Sequence, residues 1–119
     1  MVWEIEATNE FRVWWDGLND GVSKRVGAAI DLLAIHGPDL GFPHSSGING
    51  SRHAHMRELR IQVGGKPLRV FYAFDPRRTA ILLIGGDKTG RGRFYKEYVA
   101  LADTLYDTYL EELKAEGLL

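Results

Sequence analysis

Cysteine is absent from the 119 residues, so disulfides, thiolate nucleophiles and cysteine-based zinc sites are excluded together. Long apolar runs are absent as well. The longest, residues 80–84, is the size of a strand and far short of a membrane crossing. The opening Val2-Trp3-Glu4-Ile5-Glu6 has neither the basic head nor the apolar stretch of a secretory signal. Low-complexity tracts and internal repeats are missing. Together these absences predict one cytoplasmic domain with no membrane partner, of a size that supports one core and not two.

What is present is an uneven distribution of charge. The net charge is −1, yet residues 51–100 carry eleven of the fifteen Lys and Arg and only four acids, a local charge of +7. The remainder carries four bases and twelve acids, or −8. A basic segment within an acidic frame fits a polyanion-binding face, and it also fits a strand-rich segment with solvated Lys and Arg.

Hydrophobic periodicity supplies the architecture. Residues 2–6 alternate as a short strand. Thr8 can cap a helix with Phe11, Trp14, Trp15 and Leu18 on one stripe, and Asn19-Asp20-Gly21 ends it. A second helix buries Val22, Val26, Ala29, Ile30 and Leu33 and stops at His36-Gly37-Pro38. Residues 38–54, rich in Gly, Pro, Ser and His, read as a long irregular connection of the kind that often serves function. Strands follow at 56–63, 68–74 and 79–84, separated by Gly64-Gly65 and Asp75-Pro76-Arg77-Arg78. Residues 85–93 read as a flexible polar loop. A final helix over 94–116 buries Ala102, Leu105, Tyr109 and Leu113 and turns Asp103, Asp107, Glu111, Glu112 and Glu116 outward. The predicted class is α+β, in the order β-α-α-β-β-β-α, with an antiparallel meander and the helices on one face.

Three segments carry a family resemblance: Met56-Arg57-Glu58-Leu59-Arg60-Ile61, Leu68-Arg69-Val70-Phe71-Tyr72-Ala73-Phe74, and the apolar strand that runs through Gly85-Gly86 into Asp87-Lys88-Thr89. In order and spacing they resemble the RelE/ParE toxin superfamily, and the E-L-R strand with a long terminal helix is similar to its HigB-like, phage-derived branch. The resemblance implies a microbial-RNase-like fold that cleaves messenger RNA on the ribosome without metal or other cofactor. It also implies a cognate antitoxin of helix-turn-helix type, through which any contact with DNA would be made. It places Arg60 at a basic position of the first central strand, Arg69 at the transition-state arginine, Lys88 at the exit of the last strand and Tyr95 near the family's C-terminal tyrosine. RelE itself has a lysine pair on the first of these strands, where this chain has Glu58 and Arg60. ParE-type members, which poison DNA gyrase, share the fold, and a binding module without turnover would keep it too.

Internal RNA cleavage needs a base for the 2′-hydroxyl, charge stabilisation at phosphorus and an acid for the leaving oxygen. Arginine suits the second task, so Arg60 and Arg69, on neighbouring strands, are expected to hold phosphate. His53, His55 and Lys88 are candidates for proton transfer, and Tyr95 for stacking or orienting the phosphate. Arg52, Arg57, Arg91 and Arg93 are expected to contact the RNA backbone. A zinc site at His53-Ala54-His55 would need a further ligand, and no metal is expected. Gly85-Gly86-Asp87-Lys88-Thr89 lacks the spacing and the βαβ setting of a phosphate-binding P-loop.

Overall fold

The computed structural model describes residues 2–119. Strand β1 (Ile5–Ala7) leads into α1 (Asn9–Asp16) and α2 (Asp20–His36), followed by a 3₁₀ turn at Gly37–Asp39. Then come β2 (Ser45–Gly47), β3 (Arg57–Val63), β4 (Lys66–Phe74), β5 (Ala80–Asp87) and α3 (Phe94–Ala115). The five strands form one sheet in the order β1-β5-β4-β3-β2. The meander β3-β4-β5 is antiparallel, β2 adds to it antiparallel, and β1 lies parallel to β5. Among the described residues no helix is long and apolar enough to cross a membrane.

The helix starts are those the sequence encodes. Thr8 Oγ1 accepts from the Phe11 amide at 3.0 Å and Asn19 Oδ1 from the Val22 amide at 2.9 Å, satisfying amides that a first turn leaves unpaired. Thr8 also donates to the carbonyl of Leu83 at 2.7 Å. Leu83 is the residue of β5 without a partner on β4, where the register slips between Phe71 and Tyr72. This bulge lets Leu83 and Ile84 both face α3.

The core has two halves, one on each face of the sheet. Phe11, Val26 and Leu33 of the first two helices pack on Leu59, Ile61, Leu68, Val70, Tyr72 and Leu82. On the other face Phe94, Val99, Ala102 and Tyr106 of α3 pack on Phe71, Ala73, Ile81 and Leu83. Each large side chain buried in this way stabilises the fold by about 1.5–3 kcal/mol. The expectation of helices on one face is therefore corrected. β4 and β5 are apolar on both faces because both are covered, and a nearly continuous apolar strand is the sign of that.

Three further readings change. Residues 38–54 are not wholly irregular, since Ser45–Gly47 forms the edge strand β2. Gly85, Gly86 and Asp87 belong to β5 and not to a flexible loop. A Cβ on Gly85 would lie 2.3 Å from Trp14 and one on Gly86 2.6 Å from Tyr98, so these glycines let aromatic rings lie against the strand from both sides. Finally, Asp103 is buried at 2% exposure, not turned to solvent. It accepts hydrogen bonds from Ser51 Oγ and from the Arg52 amide at 2.9 Å, tying the 51–55 segment to α3.

Candidate active site

Pairing of β3 with β4 sets Arg60 directly opposite Arg69 and Glu58 opposite Phe71, so all four side chains leave the sheet on the α3 face. β2 extends the row by placing Ser46 opposite Glu58. Tyr95, one residue into α3, comes down on the same spot. Its position follows from the short Lys88–Arg91 turn and from Phe94, which is buried against Phe71.

The result is a compact polar cluster at the edge of an apolar face. Glu58, 3% exposed, is its centre. Its Oε1 accepts from the Tyr95 hydroxyl at 2.8 Å and lies 3.5 Å from Arg69 Nε. Its Oε2 accepts from Ser46 Oγ at 2.9 Å and from Arg60 Nη1 at 3.3 Å. Arg69 Nε also donates to the Tyr95 hydroxyl at 3.3 Å, and Arg69 Nη1 to the carbonyl of Leu68. The ammonium of Lys88 stands 5.4 Å from the Tyr95 ring centre. Burial, and then the hydrogen bond to Glu58, raises the Tyr95 pKa above the ordinary phenol value, so this hydroxyl keeps its proton at neutral pH. Glu58 and Tyr95, with Gly47, Ile48 and Asn49, line a cleft of ≈ 290 Å³. Three cations around one carboxylate leave the cluster with a positive balance, as a phosphate site requires.

Four sequence candidates thus converge: Arg60, Arg69, Lys88 and Tyr95. The histidines lie elsewhere. His53 Nε2 is 2.7 Å from Asp107 and its ring sits edge-on to Tyr106, while His55 Nε2 is 3.3 Å from the Tyr106 hydroxyl. Tyr106 is eleven residues along α3 from Tyr95, roughly 16 Å at helical rise. Both histidines face the far half of the helix and not the cluster.

The four arginines expected to touch RNA divide. Arg57 points to the opposite sheet face, where its Nε donates to Ser45 Oγ at 3.1 Å, and Ser45 in turn bonds Tyr72. It braces the β2 edge. Arg52 pairs with Asp107 and lies 3.9 Å from Asp103, and the Asp107 carboxyl is held below its usual range by hydrogen bonds from His53 and then Arg52. Arg91 pairs with Glu97 at 3.1 Å across the face of Tyr98, and Arg93 stands exposed just before α3. Arg77, in the turn between β4 and β5, is bound to Asp75 at 2.9 Å and to the Tyr109 hydroxyl at 2.8 Å. Arg52, Arg77 and Arg91 are thus each paired with an acid, while Arg60 and Arg69 share the single carboxylate of Glu58 with Lys88 close by. No group of three or more potential metal ligands is gathered among the described residues.

Glu58 and Ser46 are the members the sequence reading passed over. The signal for Glu58 was available, since its spacing of two from Arg60 puts both on one strand face. Ser46 carries no such signal, because nothing in its neighbourhood marks it as a strand.

Comparison with known proteins agrees with this architecture. Residues 13–107 match the family described as phage derived protein Gp49-like. The chain is 42% identical over 98 residues to the candidate toxin HigB3 of Mycobacterium tuberculosis, covering 82% of this chain and 84% of the relative. It is 39% identical over 103 residues to the candidate toxin HigB2 of the same organism, covering 85% of this chain but only 51% of HigB2. Among solved structures, the isolated E. coli RelE toxin superposes with a TM-score of 0.57 at 13% identity, covering 82% of this chain and 96% of RelE. RelE of the archaeal RelE–RelB complex from Pyrococcus horikoshii OT3 gives 0.56 at 16% identity, covering 77% and 100%. At these identities the structural likeness concerns the fold.

Proposed function

This chain belongs to the phage-derived Gp49-like family, the HigB-like branch of the RelE toxin superfamily, and from that premise we propose that it arrests translation by cutting messenger RNA on the ribosome, under the control of a cognate antitoxin. The observation that carries the chemistry is the convergence of Glu58, Arg60, Arg69, Tyr95 and Lys88 from two paired strands, the exit of a third and one helix start.

The reaction we assign is attack of a 2′-hydroxyl on the adjacent phosphorus, giving a 2′,3′-cyclic phosphate and a free 5′-hydroxyl. Arg69 and Arg60 stabilise the extra negative charge of the five-coordinate phosphorane, which arginine can do with paired, charge-assisted hydrogen bonds. Glu58 is the carboxylate at the centre of the site and takes the 2′-hydroxyl proton. The Tyr95 hydroxyl, protonated and hydrogen-bonded to Glu58, relays that proton, taking it from the 2′ oxygen as it gives its own to the carboxylate, which then releases it to solvent. Lys88, beside the Tyr95 ring, donates to the leaving 5′ oxygen and is restored by solvent. This set does without the lysine pair of RelE. It assigns neither histidine to proton transfer.

An antitoxin partner is supported by the company of the structural neighbours, one of which is solved as the intact E. coli RelBE toxin–antitoxin complex. The test is induction in a bacterial host. Growth should stop, messengers should acquire cuts within their reading frames, and co-expression of a cognate antitoxin should reverse both. Arrest with intact messengers and inhibited gyrase would instead assign the fold to gyrase poisoning. Intact messengers without gyrase inhibition would leave a binding module.

A further inference from the structure

The turn between the 3₁₀ segment and β2 carries an aromatic ring that the fold does not use. Phe42 is 75% exposed, against 4% or less for Phe11, Phe71 and Phe94. Its turn is nevertheless firmly placed. The amides of His44 and Ser45 both donate to the carbonyl of Gly41, at 3.1 Å each, and the Arg60 amide donates to the carbonyl of His44 at 2.9 Å. The turn that carries the ring is therefore held beside β3, with the ring turned out to solvent.

Arg60 connects this ring to the site. Its Nη1 lies 3.3 Å from Glu58, and its guanidinium carbon lies 5.2 Å from the centre of the Phe42 ring. One side chain thus borders both the catalytic carboxylate and an exposed aromatic surface. Behind it a hollow of ≈ 250 Å³ is lined by Arg25, His44 and Arg60 with Ala28, Ala29 and Leu32. Arg25 is fixed there by donating to the carbonyl of Gln62 at 2.9 Å. An exposed aromatic face with a guanidinium against it, next to a phosphate site, is the arrangement that holds an unpaired base together with its backbone.

We propose that Phe42 is the stacking platform for the RNA base adjacent to the scissile phosphate, with Arg60 bridging the two nucleotides. The proposal rests on the RNA-cleaving reading of the Glu58–Arg69–Tyr95 site and names a substrate-binding residue beyond it. Stacking is tolerant of sequence, so Phe42 sets affinity and positioning more than base identity. Because the ring is exposed and packs on no core residue, its removal leaves the fold intact.

The experiment compares wild type, Phe42→Ala, Phe42→Leu and Phe42→Trp, with Arg69→Ala as the control for the parent reading. Cleavage of ribosome-bound messenger is measured alongside thermal unfolding. A single-stranded oligoribonucleotide is also titrated into Phe42→Trp, with the wild-type protein subtracting the signal of Trp3, Trp14 and Trp15. Loss of a base–aromatic stack predicts that Phe42→Ala and Phe42→Leu cut at least about tenfold more slowly, while Phe42→Trp cuts like wild type and all keep the wild-type melting temperature. Equal cleavage by the alanine and tryptophan variants overturns the platform while leaving the active-site assignment standing. If the wild type cuts no messenger, the parent reading fails. Saturable quenching of the residue-42 tryptophan by the oligoribonucleotide then still supports the platform, and absence of quenching overturns it.

Discussion

Breaking the Glu58–Arg69 pair should cost stability, and breaking it from both sides should cost less than the two single losses together. Both side chains are buried, at 4% and 6% exposure, with 3.5 Å between charged atoms. Removing one member of a buried pair typically costs about 3–5 kcal/mol, because the other charge is left uncompensated. In Arg69→Met, Glu58 keeps Ser46, Tyr95 and Arg60 as donors, so the cost falls at or below the low end, about 2–3 kcal/mol. Glu58→Leu leaves Arg69 buried without its carboxylate and frees two hydroxyls, for about 3 kcal/mol. The double variant has no buried unpaired charge, and only partly exposed groups, the hydroxyls of Ser46 and Tyr95 and the guanidinium of Arg60, lose their acceptor, for about 1–2 kcal/mol. Coupling of roughly 4 kcal/mol should therefore appear in a double-mutant cycle. Urea unfolding followed by tryptophan fluorescence is a suitable assay, since Trp14 and Trp15 pack on the opposite sheet face and report global unfolding. A 2–3 kcal/mol loss moves the midpoint by roughly 1–2 M urea. Additivity of the two single changes to within about 0.5 kcal/mol would refute the buried-pair account.

Other outcomes follow from the same geometry. Gly86→Ala places a Cβ 2.6 Å from Tyr98 and 3.0 Å from Phe94, and should cost about 1–3 kcal/mol in chemical denaturation while slowing cleavage by displacing the start of α3. Asp103→Ala removes the acceptor for Ser51 and the Arg52 amide; it should cost about 1–3 kcal/mol and speed amide hydrogen exchange in residues 51–55. His53→Ala and His55→Ala should leave the rate of messenger cleavage unchanged, because both rings face the far half of α3. Three of the five tyrosines, Tyr95, Tyr106 and Tyr109, have pKa values raised chiefly by burial. A raised folded pKa means stability fully present below the unfolded value of about 10 and lost as pH rises through the folded values. Alkaline absorbance titration should thus show these tyrosinates forming late and together with loss of stability.

The helices were legible because Thr8 and the Gly37-Pro38 stop are local chemistry, and so were β3 and β4, bounded by Gly64-Gly65. Asn19-Asp20-Gly21, expected to end the first helix, is instead the cap and first turn of α2, the first helix having stopped at Asp16. What escaped depended on partners distant in sequence. Gly85 and Gly86 look like a loop until Trp14 and Tyr98 are seen lying against them. Asp103 looks solvated by helical phase, and only the return of Ser51 and Arg52 to α3 buries it. Two apolar faces on β4 and β5 were visible as a continuous run, yet the assignment of α3 to the second face needed the topology. At the site, Arg60, Arg69, Lys88 and Tyr95 were identified by pattern. Their common carboxylate was passed over because a glutamate stood where RelE has a lysine.

The central claim is that Arg69, held against Glu58 and Tyr95, stabilises the transition state of messenger cleavage. The most direct test is the cleavage rate of ribosome-bound messenger by purified wild type and Arg69→Ala, with the folded fraction of each fixed by unfolding curves. The account predicts wild-type cuts ending in 2′,3′-cyclic phosphate and, for the folded variant, a rate lower by about 10²–10³, the usual cost of losing one such donor. Cleavage by folded Arg69→Ala at the wild-type rate would contradict it.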